Sequence, residues 1–278
     1  MGKRHLAFVG LLAMAPATGA LAQGILWGNS AQYTAPANIE SFNKLTGART
    51  NQFAGASGNG RGVVVVGNTV YYTMVGENRI HKMNATTGAD LGSISTTVAS
   101  MSTIAWDGSQ FWTSDYSGTN KAFRINTSGT VTSTITLSLA NNYMDGMEYF
   151  NGKLIANRDD GGSIYDIYDL SGALITAGFI NAGSTSTGIA FDGTNFYVSR
   201  IYNDAIGVYN GTTGAFIQDI ALTPGSGRLI EDLSVDYETR IDTQSTPEPA
   251  SMVLLGTGLM AVGFVTRIRR RRESTRAA

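Results

Sequence analysis

The sequence contains no cysteine, only two histidines and only five prolines among its 278 residues. Without cysteine there is no disulfide framework, no thiolate metal site and no cysteine nucleophile. A His-rich metal site or a Ser-His-Asp triad in the body of the chain would depend on His81 alone, and we interpret His81 as a structural residue within a strand. No glycine-rich phosphate loop leads from a strand into a helix, which argues against nucleotide chemistry.

The N-terminus has the three parts of a secretory signal peptide. Basic residues Lys3 and Arg4 precede the apolar run 6–15, and the small residues Ala20 and Ala22 precede Gln23. This order predicts a signal peptide over residues 1–22 with cleavage after Ala22. The fold then begins after the signal.

The C-terminus carries three elements in a fixed order. Pro247-Glu248-Pro249 precedes an uncharged stretch at 250–266, and basic residues follow it: Arg267, Arg269, Arg270, Arg271 and Arg272. Seventeen uncharged residues reach the short limit for a transmembrane helix, and the arginines would hold its far end in the cytoplasm. A plain single-span anchor is the alternative interpretation.

This tail resembles the PEP-CTERM sorting signal of Gram-negative bacteria. The resemblance covers about the last 30 residues, and Thr246 stands where that family often has valine. It implies recognition by an exosortase after export through the secretion machinery, a transient inner-membrane precursor, and delivery to the cell surface or an exopolysaccharide matrix. The resemblance implies where the protein is delivered, and it implies no activity.

The region between the two ends is acidic. Two basic residues precede Gln23 and six follow Thr246, so this region keeps 12 of 20 Lys and Arg but 19 of 21 Asp and Glu, a formal net charge of −7. A nucleic-acid partner is therefore not expected, because phosphate binding needs clustered cations. Cations, sugars or proteins are easier to accommodate.

A repeat of 41 to 43 residues organises this region. A short strand ending near Asn or Asp leads into a Thr-Gly or Ser-Gly turn five times, with the turn glycines at Gly47, Gly88, Gly129, Gly172 and Gly214. Tight turns recur at the same period, at 67–68, 107–108, 151–152 and 192–193. Each unit thus predicts four strands, and four strands in 41 to 43 residues match the size of a propeller blade. The sequons at Asn84, Asn126 and Asn210 coincide with the turn, which suffices to explain them.

The ends of the repeat predict a closed ring. The segment 233–237 predicts the first strand of a further blade, but the residues after it do not supply that blade's other three strands. The N-terminal segments 25–27, 39–43 and 49–53 supply three strands. Joining them gives an all-β fold, a five-bladed β-propeller over about residues 24–242, with no open sheet edge. A six-bladed ring and a β-solenoid are the alternatives. The blade pattern is broadly similar to secreted propellers of the YVTN, NHL and lactonase-like kind, but no catalytic motif of those families is matched.

Ligands of propellers usually lie at the channel mouth, so polar residues of the loops there are candidate ligand contacts. These are Asp115, Tyr116, Tyr143, Asp145, Arg158, Asp159, Arg200, Tyr202, Glu231 and Asp232. Carboxylates among them could coordinate Ca²⁺, or they could be solvated turn formers. Asp107 and Asp192 are interpreted as hairpin residues.

The sequence therefore favours an exported, exosortase-sorted surface or matrix protein. Its propeller would be a non-enzymatic platform for polysaccharide or protein, with no catalytic residues assigned and no cofactor expected beyond Ca²⁺. The alternative is a metal-dependent propeller hydrolase or lyase, which the fold permits because folds do not fix function.

Overall fold

The structure, a computed structural model, describes residues 24–31, 36–116, 118–140, 143–158, 164–183, 185–224 and 229–240. The chain divides into two compact units, residues 1–241 and 242–278, and all described residues belong to the first. The predicted signal peptide, Ala20 and Ala22, the transmembrane helix at about 250–266, and the Pro-Glu-Pro and arginine segments lie outside the described residues.

Twenty strands form five four-stranded antiparallel sheets, which are the blades of a propeller. Blade 1 joins both ends of the domain in the order β20-β1-β2-β3, with bounds β1 Ile25–Ser30, β2 Pro36–Asn43, β3 Arg49–Ser57 and β20 Ile230–Ser234. The next two blades follow the chain. Blade 2 contains β4 Gly60–Val66, β5 Thr69–Met74, β6 Arg79–Asn84 and β7 Asp90–Ser95, and blade 3 contains β8 Met101–Trp106, β9 Phe111–Asp115, β10 Lys121–Ile125 and β11 Val131–Thr136.

The last two blades repeat this order. Blade 4 contains β12 Met147–Phe150, β13 Lys153–Asn157, β14 Ile164–Tyr168 and β15 Leu174–Asn181, and blade 5 contains β16 Ser186–Phe191, β17 Asn195–Arg200, β18 Ala205–Asn210 and β19 Phe216–Ala221. The predicted five-bladed propeller and its closure by N- and C-terminal strands are confirmed. The six-bladed and solenoid alternatives are wrong. The closing strand begins three residues earlier than predicted, at Ile230.

The apolar residues form five clusters, one between each pair of neighbouring blades. Val64 of blade 2 and Phe111 of blade 3 share one cluster, for example, and Leu26 of blade 1 shares another with Tyr197 of blade 5. A single blade therefore has no core of its own, and burial of apolar surface requires the complete ring. All of these partners lie within residues 24–240, so the propeller supplies its own core and its own closure.

The repeated turn joins each blade to the one before it. Asn126 Oδ1 accepts hydrogen bonds from the backbone N–H groups of Ser128 and Thr130, which fixes the turn. Gly129 then adopts φ +91°, and a Cβ there would overlap the carbonyl oxygen of Ser95 at the end of the outer strand β7. The predicted turn role of Asn84 and Asn210 is confirmed by the same type of hydrogen bond.

The described residues contain no helix long and apolar enough to cross a membrane. His81 lies on β6, where its Nε2 is 2.9 Å from Glu77 Oε2 and its ring stacks on Tyr72 at 4.9 Å. These contacts agree with the structural role predicted for it.

Candidate functional site

The first strand of each blade lines the central channel, and four of these strands contain a β-bulge near the end where they begin. The pairing register shifts between Gly60 and Val63, between Met101 and Ile104, between Ser186 and Ile189, and, where β20 pairs with β1, between Ile230 and Asp232. A bulge places two residues of one strand opposite one residue of its partner, which re-aims the side chains. We call the end of the ring where the first strands begin the mouth face, and the other end the hairpin face.

The upper layer of the channel contains one residue from each first strand or the segment before it: Arg61, Ser102, Asp145, Thr187 and Glu231, all of them buried. The Arg61 guanidinium forms a buried ion pair with the Glu231 carboxylate across blades 1 and 2. Asp145 is held by the Asn157 amide, whose Oδ1 accepts from the Asp145 and Gly146 N–H groups. Thr187 Oγ1 donates to the Ile230 carbonyl at 3.4 Å.

Two tyrosines continue this layer toward solvent. The Arg61 guanidinium lies over the Tyr116 ring, 4.2 Å from its centroid, and the Tyr116 and Tyr143 rings are 5.0 Å apart. Tyr143 is 43% exposed, so its ring is accessible at the solvent-facing edge of the mouth face, which we call the rim. Contacts thus run from Glu231 through Arg61 and Tyr116 to Tyr143, and they join blades 1, 2 and 3 to the loop before blade 4.

Backbone strain marks the same rim. Ser100, Tyr143 and Thr185 each precede an inner strand, and each adopts a left-handed conformation, with φ of +50°, +69° and +67°. Non-glycine residues avoid this region, and β-branched threonine avoids it most strongly. The carbonyls of Ser100 and Thr185 accept backbone hydrogen bonds from Tyr116 and Ile201, which helps to hold the conformation. Strain of this kind collects at ligand sites and costs about 1–3 kcal/mol per residue.

One level below the mouth, Asp232 fills the centre of the ring. Its carboxylate accepts hydrogen bonds from the backbone N–H groups of Val63 and Leu233, at 3.1 and 2.9 Å, and from Thr103 Oγ1 at 3.1 Å. Gly188 packs against it so closely that a Cβ would overlap the Asp232 backbone. Burial raises the pKa of Asp232 well above its ordinary value. Asp232 therefore ties blades 1, 2 and 3 together at the axis.

The lower layer contains a second buried carboxyl group. The Glu148 carboxylate accepts hydrogen bonds from the Tyr237 hydroxyl and from Arg240 Nη1, the latter at 3.1 Å, and Arg240 lies over the Tyr237 ring at 4.3 Å. Burial outweighs these stabilising contacts and raises the pKa of Glu148 to about 7. This layer fixes the segment after β20 against blade 4.

The structure brings part of the predicted site together. Tyr116, Tyr143, Asp145, Glu231 and Asp232 all lie at or directly below the mouth. Glu231 and Asp232 were expected in a loop, but they lie within strand β20, because pairing with β1 extends to Ile230. Asp232 consequently faces the channel axis and is not open to solvent.

The other predicted residues have different surroundings. Arg158 forms a bidentate pair with the buried Asp166 of its own blade, at 2.7 and 2.9 Å. Arg200 pairs with Asp219 of the outer strand β19 at 2.9 Å, and Tyr202 is 69% exposed. Asp115 accepts a hydrogen bond from Thr119 and lines a separate cavity of about 320 Å³. Asp159 lies outside the described residues.

Asp107 and Asp192 are hairpin residues, as predicted. Asp107 Oδ1 accepts from the N–H groups of Ser109 and Gln110, and Asp192 Oδ1 accepts in the same way from Thr194 and Asn195. The other oxygen of Asp192 pairs with Lys44 of blade 1 at 2.7 Å. These carboxylates therefore serve the fold.

Sequence reasoning missed Arg61, Ser102 and Thr187. The signal was present in the repeat, because each of them immediately precedes a small residue of the inner strand, Gly62, Thr103 or Gly188, as Asp145 precedes Gly146. Aligning the repeats by position, and not by residue type, would have found the ring.

Within the described residues, no three His, Asp or Glu side chains come together as a metal-binding group. The carboxylates of Asp145, Glu231 and Asp232 are instead hydrogen-bonded to an amide, a guanidinium, and backbone and hydroxyl groups, respectively. This donor set does not resemble an open oxygen cage for Ca²⁺.

Two solved structures are similar to this chain in backbone fold, at low sequence identity. One chain in the crystal structure of a nidogen/laminin complex matches with a TM-score of 0.52 and 11% identity, over 76% of this chain and 97% of that chain. Glutaminyl cyclase of Myxococcus xanthus matches with a TM-score of 0.47 and 13% identity, over 68% and 76%. No curated protein sequence matches the chain.

The C-terminal sequence matches a family model that bears on cellular role. Residues 245–271 match the PEP-CTERM protein-sorting motif. This motif implies an exported, membrane-anchored precursor that is processed by an exosortase and sorted to the cell surface. The chain thus combines a five-bladed β-propeller with a PEP-CTERM sorting motif.

Proposed function

We propose that the mature protein is a non-enzymatic binding platform at the cell surface or in the extracellular matrix, with its ligand at the mouth of the propeller. The ligand is a polysaccharide or another surface protein. The sorting motif supports the location. The observation that carries the binding role is the partly exposed Tyr143, which packs on Tyr116 beside a buried guanidinium.

This arrangement has the features of a recognition surface. Tyrosine offers a large apolar face with a polar tip at low entropic cost, and binding sites combine such faces with a few convergent polar groups. The rim is held in a strained conformation at three positions, which pre-organises it. The layers below are filled by Asp232 and Glu148, so a ligand is limited to the mouth.

The test is binding of the purified propeller, residues 23–246, to polysaccharide and to solubilised surface proteins from the producing bacterium. We expect Tyr143→Ala to weaken binding by about tenfold, because truncating an aromatic anchor costs at least about 1.4 kcal/mol. The matched control is Leu45→Ala, a 75% exposed apolar residue in the β2–β3 turn on the hairpin face, which should have no effect. Equal loss in both variants would contradict a site at the mouth.

Adding a chelator distinguishes the binding platform from a metal-dependent hydrolase or lyase. Binding by the platform should be unchanged by EDTA, and no hydrolysis of the bound polysaccharide should follow. Loss of binding in EDTA with recovery in Ca²⁺, or release of fragments from the polysaccharide, would favour the hydrolase or lyase.

A further inference from the structure

A cavity of about 320 Å³ lies between blades 2 and 3, away from the central channel. Its lining includes two residues of the connection from β7 to β8 and four residues of β9, β10 and β11: Thr97, Val98, Asp115, Phe123, Val131 and Thr134. No residue of an inner strand is part of this lining. The volume is at the lower end of the range for small-molecule sites.

Strand pairing within blade 3 explains why these side chains meet. Phe123 of β10 lies opposite Thr134 of β11, and a register shift near the end of β10 brings Val131 to the same side of the sheet. Phe123 and Val131 pack against the apolar cluster that blades 2 and 3 share, and Val98 belongs to that cluster. One side of the cavity is therefore apolar and includes an aromatic ring.

Asp115 is the charged residue of this lining. It is 8% exposed, and its Oδ1 accepts a hydrogen bond from Thr119 Oγ1 at 2.6 Å. Within the described residues Oδ2 accepts no hydrogen bond, yet it is not among the unpartnered polar atoms that are closed to water. A carboxylate that is largely buried without a counter-ion costs free energy, and a cation in the cavity would offset that cost.

The repeat does not require a carboxylate at this position. The second strands of the other four blades end in residues of other types, Ser30, Met74, Asn157 and Arg200. The described hydrogen bond of Asp115 reaches only Thr119 in the loop that follows, so it does not join blades. A role in closing the ring therefore does not account for Asp115.

Lys121 is a possible counter-ion from the same blade. It lies opposite Asp115, because Ala122 and Ser114 beside them are paired across β10 and β9. Its side chain is exposed, and no ion pair joins it to Asp115 in the part of the chain that the structure describes. The Asp115 carboxylate thus remains available to a ligand.

We propose that this cavity binds a small organic cation, whose ammonium group pairs with Asp115 and whose apolar body packs on Phe123 and Val98. The hydroxyl oxygens of Thr97 and Thr134 can accept further N–H groups. A net charge of −7 over residues 23–246 favours a cation over an anion. The site is independent of the proposed platform function, because its lining does not include Tyr116 or Tyr143.

Three ligands with similar apolar bodies test the charge: phenethylamine, phenethyl alcohol and hydrocinnamate. Each is titrated into residues 23–246 and followed by calorimetry. We expect phenethylamine to bind at least about tenfold more tightly than the alcohol, because a hydrogen bond to a charged group is stronger than a neutral one. Equal affinity for the amine and the alcohol, tighter binding of hydrocinnamate, or no binding of any of the three would overturn the proposal.

Asp115→Asn locates the binding in this cavity. Asparagine keeps an acceptor for Thr119, so the melting temperature should be unchanged, whereas affinity for phenethylamine should fall about tenfold. Asp169→Asn makes the same charge change in the β14–β15 turn and keeps the acceptor for Ser171, so it should leave both unchanged. Unchanged affinity in Asp115→Asn, or an equal loss in both variants, would refute the assignment.

Lys121→Ala tests the direction of the charge effect. It removes a cation that competes for Asp115, so phenethylamine should bind as tightly as to the wild type or more tightly. Weaker binding to this variant would contradict an ammonium group at Asp115.

Discussion

Replacing Gly129 with alanine should destabilise the propeller more than the same replacement at Gly108, although both glycines lie in blade 3 with nearly equal φ. Gly129 has φ +91° and Gly108 has φ +95°. At Gly108 nothing lies within 4 Å of an added Cβ. At Gly129 the added Cβ would overlap the Ser95 carbonyl oxygen and lie 3.0 Å from its carbonyl carbon. The pair therefore separates backbone strain from contact between blades.

The magnitudes follow from these two effects. Alanine with a positive φ costs about 1–2 kcal/mol in either position. At Gly129 the outer strand β7 must also move away, and overpacking of this kind costs about 1–3 kcal/mol more. We therefore expect a loss of about 1–2 kcal/mol in unfolding free energy for Gly108→Ala and of about 2–5 kcal/mol for Gly129→Ala.

Urea unfolding of residues 23–246, followed by tryptophan fluorescence, gives both values if the slope of the transition is unchanged. The same comparison can be repeated with Gly172, whose Cβ would overlap the Thr136 carbonyl oxygen. Equal destabilisation at Gly108 and Gly129 would refute the reasoning, because the contact between blades would then contribute nothing.

Three further predictions follow from the channel, its rim and the tail. Glu148, with its pKa raised to about 7, holds in the folded state a proton that the unfolded chain releases near pH 4.5. The unfolding free energy should therefore fall by about 3 kcal/mol as pH rises from 4.5 to 7, and Glu148→Gln should remove that part of the slope in pH-dependent denaturation. Thr185→Gly should have an unfolding free energy about 1 kcal/mol higher than Thr185→Ala in the same assay, because only glycine adopts φ +67° without steric strain. Equal stability of the two variants would contradict backbone strain at this position. Glu248→Gln in the full chain should accumulate as unprocessed membrane-bound precursor, detected by fractionation and immunoblotting, whereas normal release would contradict exosortase processing.

The architecture could be predicted because two independent requirements select glycine in the repeated turn. It must adopt a positive φ, and it must lack a Cβ where the turn meets the preceding blade. Both requirements recur in every blade, so the glycine spacing of 41 to 43 residues equals the number of residues in one blade. The start of β20 was placed three residues late, because Ile230 and Glu231 precede the alternating pattern, and their strand conformation comes from pairing with β1.

The candidate site was predicted only in part, since loop position says little about the direction of a side chain. Arg158 and Arg200 follow or end second strands, as expected for the mouth, yet each reaches an aspartate of its own blade. Arg61 was overlooked because it lies between two glycines ahead of a valine run and resembles a turn residue. Its role depends on Glu231, 170 residues away, and such a pairing leaves no local pattern.

The two levels of channel-lining residues differ in how closely they repeat from blade to blade. In the level that holds Asp232, three of the five positions are glycine and a fourth is Thr103, so the strands approach closely and the ring is closed. In the level above, Arg61, Ser102, Asp145, Thr187 and Glu231 are all different. A repeat that only had to close would tolerate the same small residue in all five blades at both levels. The diversity of the upper level and the strain at its rim are the features on which the proposed binding role depends.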